Sequence, residues 1–325
     1  MSEVIVRTSG YDEKKLRPLL FEMLARLDGG RIQRGVRVLV KPNLLSPAAP
    51  DDAVLTHPLV VKAVCEYVLD KGAGVHLSDS PAMGSFEKIL RVSGIGDALR
   101  GLDVVCKPFA SSVPVDVGKP FDRIEMAEDV LNADMIINLP KLKTHSHMLL
   151  TLAVKNMFGC IVGFRKPEWH MRAGVDRDMF ARLLVRIHAR ARPAFAILDG
   201  ILAMEGEGPG KSGKPRRLGV LMGSQDGPAI DETVCRMIGV DPLLLPTHKA
   251  AREFGLIDAQ LEIDGRLPRV SHFRLPEIAP LIFGPQALHG FVRRHLVQRP
   301  VVDPARCKMC GECWKICPPK AITVR

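Results

Sequence analysis

Four of the eight cysteines close the chain in one run, Cys307-x₂-Cys310-x₂-Cys313-x₃-Cys317-Pro318. Thiolates are soft ligands that suit an iron–sulfur cluster or zinc. Zinc sites usually join two separated ligand pairs. A single run of this spacing followed by proline is instead that of an iron–sulfur module, so a [4Fe–4S] cluster is expected on Cys307, Cys310, Cys313 and Cys317. Gly311 gives the loop room to curl. Cys317 has two readings. Either it closes this one cluster, or the natural chain continues into a second run whose cluster it joins. The end of the sequence at Arg325, soon after "PPKAITVR", favours the second reading, a truncated chain with two clusters in the full-length protein. Cys65, Cys106 and Cys235 lie in apolar surroundings and read as inert buried thiols. Cys160 is the one body cysteine near the polar residues that follow.

Those residues lie in "NLPKLKTHSHMLLTLAVKNMFGCIVGFRKPEWHMR", positions 138–172. Lys141, Lys143, His145, His147, Lys155, Asn156, Arg165, Lys166 and His170 are interleaved there with apolar residues, which implies partial burial. A cluster of cations following a strand suits a carboxylate or phosphate. A partly buried lysine shifts its pKa readily and can carry a proton. Lys143, His145, Lys155 and His170 are therefore expected to be catalytic, with Asn156 and Arg165 binding a ligand. His145 and His147 are also spaced to share a metal, a pattern common by chance. Upstream, "VLVKPNLL" sets Lys41 and Asn43 just after a strand. "SDSPAMG" sets Asp79 and Ser80 in a turn whose N–H groups could hold an anion, although a simple cap serves as well. Thr56 before His57 and Pro58 reads as a helix cap. "MEGEGPGKSGKP" lacks the spacing of a phosphate-binding loop and cannot open a helix. It reads as a glycine-rich loop that packs on a ligand or stays mobile, with Glu205 and Glu207 as weaker acid–base candidates.

The elements that must position these residues alternate. Short β-branched runs at 36–41, 74–79, 102–106, 134–139, 195–200 and 218–223 read as buried strands. Amphipathic helices are expected at 57–72, 177–191 and 228–239. Such alternation argues an α/β fold, a mostly parallel sheet with helices on both faces, whose ligand binds beyond the carboxyl ends of the strands. The body is expected over 1–285, a basic connector over 286–299, and a small ferredoxin-like iron–sulfur module over 300–325.

Composition narrows the class. A chain of 325 residues with 46% hydrophobic and 25% charged residues is ordinary for a globular protein. No apolar run approaches the roughly 20 residues of a membrane span, and the N-terminus has no secretory pattern. The expected location is cytoplasmic, where clustered cysteines hold metal rather than disulfides. The net charge of +10 is scattered, and aromatics are only 5%, poor material for stacking bases. Nucleic acid is not an expected partner. A redox protein, a ferredoxin or a reductase, and an anionic small molecule are. Homo-oligomerisation is left open.

The motifs "VLVKPNLL", "THPLVVKAV", "SDSPAMG", "INLPKLKTH", "LAVKNMFGCIVG", "AILDGILAMEGEGPG" and "IDETVCRMIGVDP", with the cysteine run behind them, resemble the iron–sulfur proteins that carry domain of unknown function 362. The resemblance covers nearly the whole chain. Many members carry two cysteine runs. A fainter likeness links 138–172 to the nickel-pincer lactate racemases, with His145, Lys155 and His170 at spacings similar to a histidine, a cofactor-anchoring lysine and a nickel-ligating histidine. The Asp-Arg-Thr-Arg-Pro signature of those enzymes is absent, and the chain reads "KPNLLSPAAP" there. That likeness implies a shared fold and pocket position, not the racemase reaction. The expectation is an iron–sulfur oxidoreductase that passes electrons to an anionic substrate or second cofactor in the body, a flavin or a nickel cofactor being open for the latter. The alternatives are a nickel-pincer-like isomerase and a non-enzymatic electron carrier or cofactor-assembly partner.

Overall fold

A computed structural model describes residues 1–163, 165–173, 176–277 and 307–311. The connector expected at 286–299 lies outside the described residues, as do Cys313 and Cys317. Twelve strands are described: β1 (Ser2–Thr8), β2 (Arg37–Pro42), β3 (Gly74–Leu77), β4 (Val104–Cys106), β5 (Ser112–Gly118), β6 (Asp122–Ala127), β7 (Met135–Leu139), β8 (Lys141–His145), β9 (Leu149–Thr151), β10 (Phe195–Gly206), β11 (Gly213–Ser224) and β12 (Leu261–Asp264).

Strands β5 and β6 form a separate hairpin, and the other ten make one sheet in the order β12-β1-β11-β10-β7-β2-β3-β4, with β8 added on β10 and β9 on β8. The run β10-β7-β2-β3-β4 is parallel throughout, and β8 runs parallel to β10. The sheet is therefore mostly parallel. The antiparallel exceptions are β11 against both β10 and β1, and β9 against β8. The glycine-rich segment has a concrete role here: it turns the β10–β11 hairpin. Gly208 packs so closely on β8 that a Cβ there would lie 2.6 Å from Thr144 Oγ1.

Alternation along the strands splits the core into two layers. Val38, Val40, Ile137, Phe195 and Ile197 share a core with Leu20, Met23, Val60 and Val64 of the helices Glu13–Asp28 and Pro58–Asp70. The intervening Leu39 and Ile136 face Phe180, Leu184 and Ile187 of the helix Arg177–Ala191. Ala196 and Leu198 face Ile230 and Val234 of the helix Gly227–Ile238. Helices thus cover both faces. The cap of Pro58–Asp70 departs from expectation. His57 occupies it, its Nδ1 accepting the N–H of Leu59 at 3.2 Å. Thr56 instead ties two strand ends together: Oγ1 accepts Asn43 N–H at 2.8 Å and donates to the Leu139 carbonyl at 2.7 Å.

Candidate functional site

Strand β8 carries the core of the site. Its period of two puts Lys141, Lys143 and His145 on one side. Lys141 is fully buried, and its ammonium meets Asp199 Oδ2 of β10 at 2.7 Å and the Tyr11 hydroxyl at 3.0 Å. Tyr11 donates to Asp199 Oδ1 at 2.6 Å and stacks on His57 at 3.5 Å between ring centroids. Lys143, equally buried, has no carboxylate: its Nζ donates to Asn43 Oδ1 and the Val54 carbonyl, both at 2.7 Å. Burial, reinforced by the charges of Lys155 and Lys141, pushes its pKa well below that of an ordinary lysine.

Asn43 starts a chain of amides. Its Nδ2 donates to Asn156 Oδ1 at 2.7 Å, Asn156 Nδ2 to Asn138 Oδ1 at 2.7 Å, and Asn138 Nδ2 to the Ala153 carbonyl at 2.9 Å. Each amide has a fixed direction, so Lys143 is held by a continuous network. The short helix Ala153–Asn156 delivers Lys155 and Asn156. Asp231, from a different helix, accepts the N–H of Ala153 at 2.7 Å and of Val154 at 3.3 Å, and burial raises its carboxyl to about 8.

These groups border a cavity of about 350 Å³, within the size range of small-molecule sites. Asn43, Asp79, Ser80, Lys143, His145, Lys155, Asn156 and His170 all line it, so eight of the expected residues are brought together beyond the carboxyl ends of β2 and β3. Lys41 sits underneath, buried and paired with Asp79 Oδ1 at 3.0 Å. Asp79 also accepts the N–H of Ser80 at 2.8 Å and of Leu44 at 2.9 Å, so it is neither a helix cap nor a free carboxylate. Arg165 is absent from the lining: its guanidinium reaches outward to Glu125 at 2.8 Å, which corrects its expected place among the ligand-binding residues. Glu205 is likewise committed, to Arg216 at 2.7 Å and Arg274 at 2.8 Å.

Two lysines set the electrostatics. Lys155 is 8% exposed, and among the described residues its ammonium has no hydrogen bond and no ion pair, only the face of Phe158 at 5.9 Å. Burial, with the charge of Lys166 beside it, lowers its pKa to about 8. Lys166 donates to the Ser80 carbonyl, and burial lowers its pKa to about 8 as well, against the pull of Asp79. The histidines are held neutral. Burial and Lys155 push His145 well down, and His170, at the mouth and packed 4.5 Å from the Phe180 ring, is lowered to about 4. His147 is brought down to about 4 by burial and Arg177.

His145 does not fit ligation of a metal through Nε2. Its Nδ1 accepts the N–H of His147 at 3.1 Å and of Met148 at 3.3 Å, which puts the ring proton on Nε2. Among the described residues no three His, Cys, Asp or Glu side chains gather as a metal site. In the tail, Cys307 and Cys310 are exposed free thiols. Met309 and Gly311 between and beside them take left-handed φ values of 52° and 78°, a curled loop that suits thiolates closing on a cluster.

Sequence reading passed over Asp199, Tyr11, Asp231 and Thr151. Asp199 had a signal, a lone carboxylate in an apolar run, whereas Asp231 stands beside Glu232 on a helix and had none. Tyr11 and Thr151 had none.

A model of the "4Fe-4S binding domain" matches residues 300–323, so the C-terminal run binds a [4Fe–4S] cluster. A thylakoid-associated protein of Synechocystis sp. is 35% identical over 308 residues, covering 92% of this chain and 96% of that protein. Among the described residues no helix is long and apolar enough to cross a membrane. Two solved structures are more distant. A Thermotoga maritima protein shares 15% identity at a TM-score of 0.40, over 75% of this chain and 58% of its own. The lactate racemase apoprotein of Thermoanaerobacterium thermosaccharolyticum shares 11% at a TM-score of 0.45, over 69% and 54% respectively. The chain thus spans less than two thirds of either of those two chains. Residues 38–236 match the model of the "Domain of unknown function (DUF362)", and with the Synechocystis likeness this chain belongs to the DUF362 family.

Proposed function

We propose that the chain is an iron–sulfur oxidoreductase whose body binds a small organic anion in the 350 Å³ cavity. One observation carries the reading: Lys155 is a buried ammonium without a counter-charge among the described residues, beside Lys143 and Lys166, and a lining that holds three lysines holds only Asp79 as a carboxylate, already paired with Lys41. Such an arrangement is costly until an anion completes it. When bound, the [4Fe–4S] cluster supplies single electrons. The chain's own residues do the rest. Lys143, fixed by Asn43 and Val54, and Lys166, fixed by Ser80, hold the anion's charge. Lys155 holds a transferable proton at Nζ, its pKa of about 8 lying near neutral working pH. Leu44, Leu45 and Phe158 keep water from the bound molecule.

The proposed division is a body over 1–285, a connector over 286–299 and the cluster module over 300–325, with a ferredoxin or reductase as electron partner. A cytoplasmic location goes with cysteines kept reduced for cluster binding. The isomerase alternative has less support, because His145 offers a proton rather than a lone pair at Nε2.

The test uses the full chain, purified without oxygen and reduced with dithionite. A panel of small carboxylates should include one that reoxidises the cluster, followed by its visible absorbance. Lys155→Met should stop that reoxidation while leaving the iron content unchanged. Protein free of iron, protein carrying nickel as well as iron, or full turnover in Lys155→Met would each sink the reading.

A further inference from the structure

The cavity wall is a set of donors. His145 lines it with Nδ1 turned back to two backbone N–H groups, and Nε2 has no partner among the described residues. Thr151, 4% exposed, lines the same space with a buried hydroxyl that has no hydrogen-bond partner among the described residues and is free to donate. Lys155 adds an unpartnered ammonium. Acceptors are nearly used up. Asp79 is committed to Lys41, Ser80 and Leu44, and the side-chain oxygens of Asn43 and Asn156 to Lys143 and Asn43.

We propose that the cavity selects an organic acid whose enclosed end carries only acceptors, with no ammonium group, and that His145 meets it as an uncharged Nε2–H donor. This rests on the reading of the cavity as an anion site and names the class of molecule it takes. An amino acid of the same skeleton would bring an ammonium among three lysines with no carboxylate to receive it. A neutral imidazole donor stabilises developing negative charge on an acceptor oxygen without itself giving up a proton. The groups that face His145 are Lys143 on its own strand, Lys155 on the short helix, His147 in the turn and His170 across the mouth. Burial, then the charges of Lys155 and Lys143, oppose a second proton on the ring, and no acid stands among these groups to favour one.

Two measurements on the anaerobic full chain, labelled with nitrogen-15, test this. Ring-nitrogen spectra, with the His145 signals assigned by their loss in His145→Gln, should show the Nε2–H form unchanged from about pH 5 to about pH 9, whereas a free histidine titrates near about 6.5. Titration with 3-phenylpropionate should shift the Nε2–H signal, and phenylalanine, which differs only by its ammonium, should bind at least about tenfold more weakly. Equal or tighter binding of phenylalanine overturns the ligand class. A proton on Nδ1, or a titration above about pH 6, overturns the role of His145 even where 3-phenylpropionate binds. Binding of neither probe overturns the ligand class together with the anion-site reading beneath it.

Discussion

Lys141 and Lys143 stand two positions apart on the same side of β8 and are 0% and 1% exposed, yet they occupy opposite electrostatic situations. Lys141 has its counter-charge within the fold, 2.7 Å away on Asp199 Oδ2, which also accepts the His57 N–H, while Oδ1 accepts the Tyr11 hydroxyl. Lys143 has only neutral acceptors, and its charged neighbours Lys155 and Lys141 make matters worse. The first neighbourhood is complete as folded. The second is complete only with something added. A buried cation with its carboxylate in place is architecture, whereas a buried cation facing a cavity without one is where the proposed anion site lies.

The sharpest way to break the contrast is to remove the counter-charge that exists. Asp199→Ala should lower stability by about 3–5 kcal/mol, because Lys141 is left buried and unpaired. Urea denaturation of the full chain measures it, and a loss under about 1 kcal/mol would mean the pair carries no such weight. Lys155→Met should do the reverse. Stability should hold or rise by about 1 kcal/mol as an uncompensated charge leaves the interior, while anion affinity, read by calorimetry, falls about tenfold to a hundredfold. If Lys155→Met unfolds the chain as Asp199→Ala does, the two neighbourhoods are not distinct.

Stability and anion affinity should respond to pH in opposite directions. The folded-state pKa values of Lys155 and Lys166, about 8, lie below the ordinary lysine value of about 10.4. Between those limits the unfolded chain binds more protons than the folded one, so stability should rise with pH across the window. Anion affinity should fall across the same window as the ammonium groups discharge. Parallel rather than opposed trends would count against these lysines as the binding charges. The smallest effect belongs to Arg165→Ala. Its half-exposed pair with Glu125 should contribute under about 1 kcal/mol, and anion binding should not change.

Much of the frame was legible because it follows from periodicity. "VRVLVK", "DMIINL" and "FAILDG" became β2, β7 and the start of β10, and the helix expected at 177–191 is found at those bounds. Eight of the ten expected body residues line one cavity: Asn43, Asp79 and Ser80 follow β2 and β3, Lys143 and His145 lie on β8, and Lys155, Asn156 and His170 come from the helical segments after β9. Strand β8 was missed for a physical reason. "KLKTH" alternates as a strand should, but lysines ordinarily mark a solvent face, and here they point into the protein. Partners distant in sequence could not be read at all. Nothing in "FAILDG" says that Asp199 meets Lys141 and Tyr11, and nothing in "IDETV" says that Asp231 holds the helix of Lys155. Arg165 was misplaced because sequence proximity to the cluster says nothing of the direction its side chain takes.

Gly159 lies over the Lys41–Asp79 pair so tightly that a methyl group there would collide with the carboxylate and lie 2.5 Å from Lys41 Nζ. The base of the cavity is therefore closed to evolutionary tinkering, since even alanine would force the ion pair apart. The mouth, where Pro167 and His170 are exposed, has no such constraint. The preference of this cavity for one ligand over another can diversify by exchanging residues at the rim while the charged base stays fixed, so an engineer seeking to change what it takes should begin at Pro167 and leave Gly159 alone.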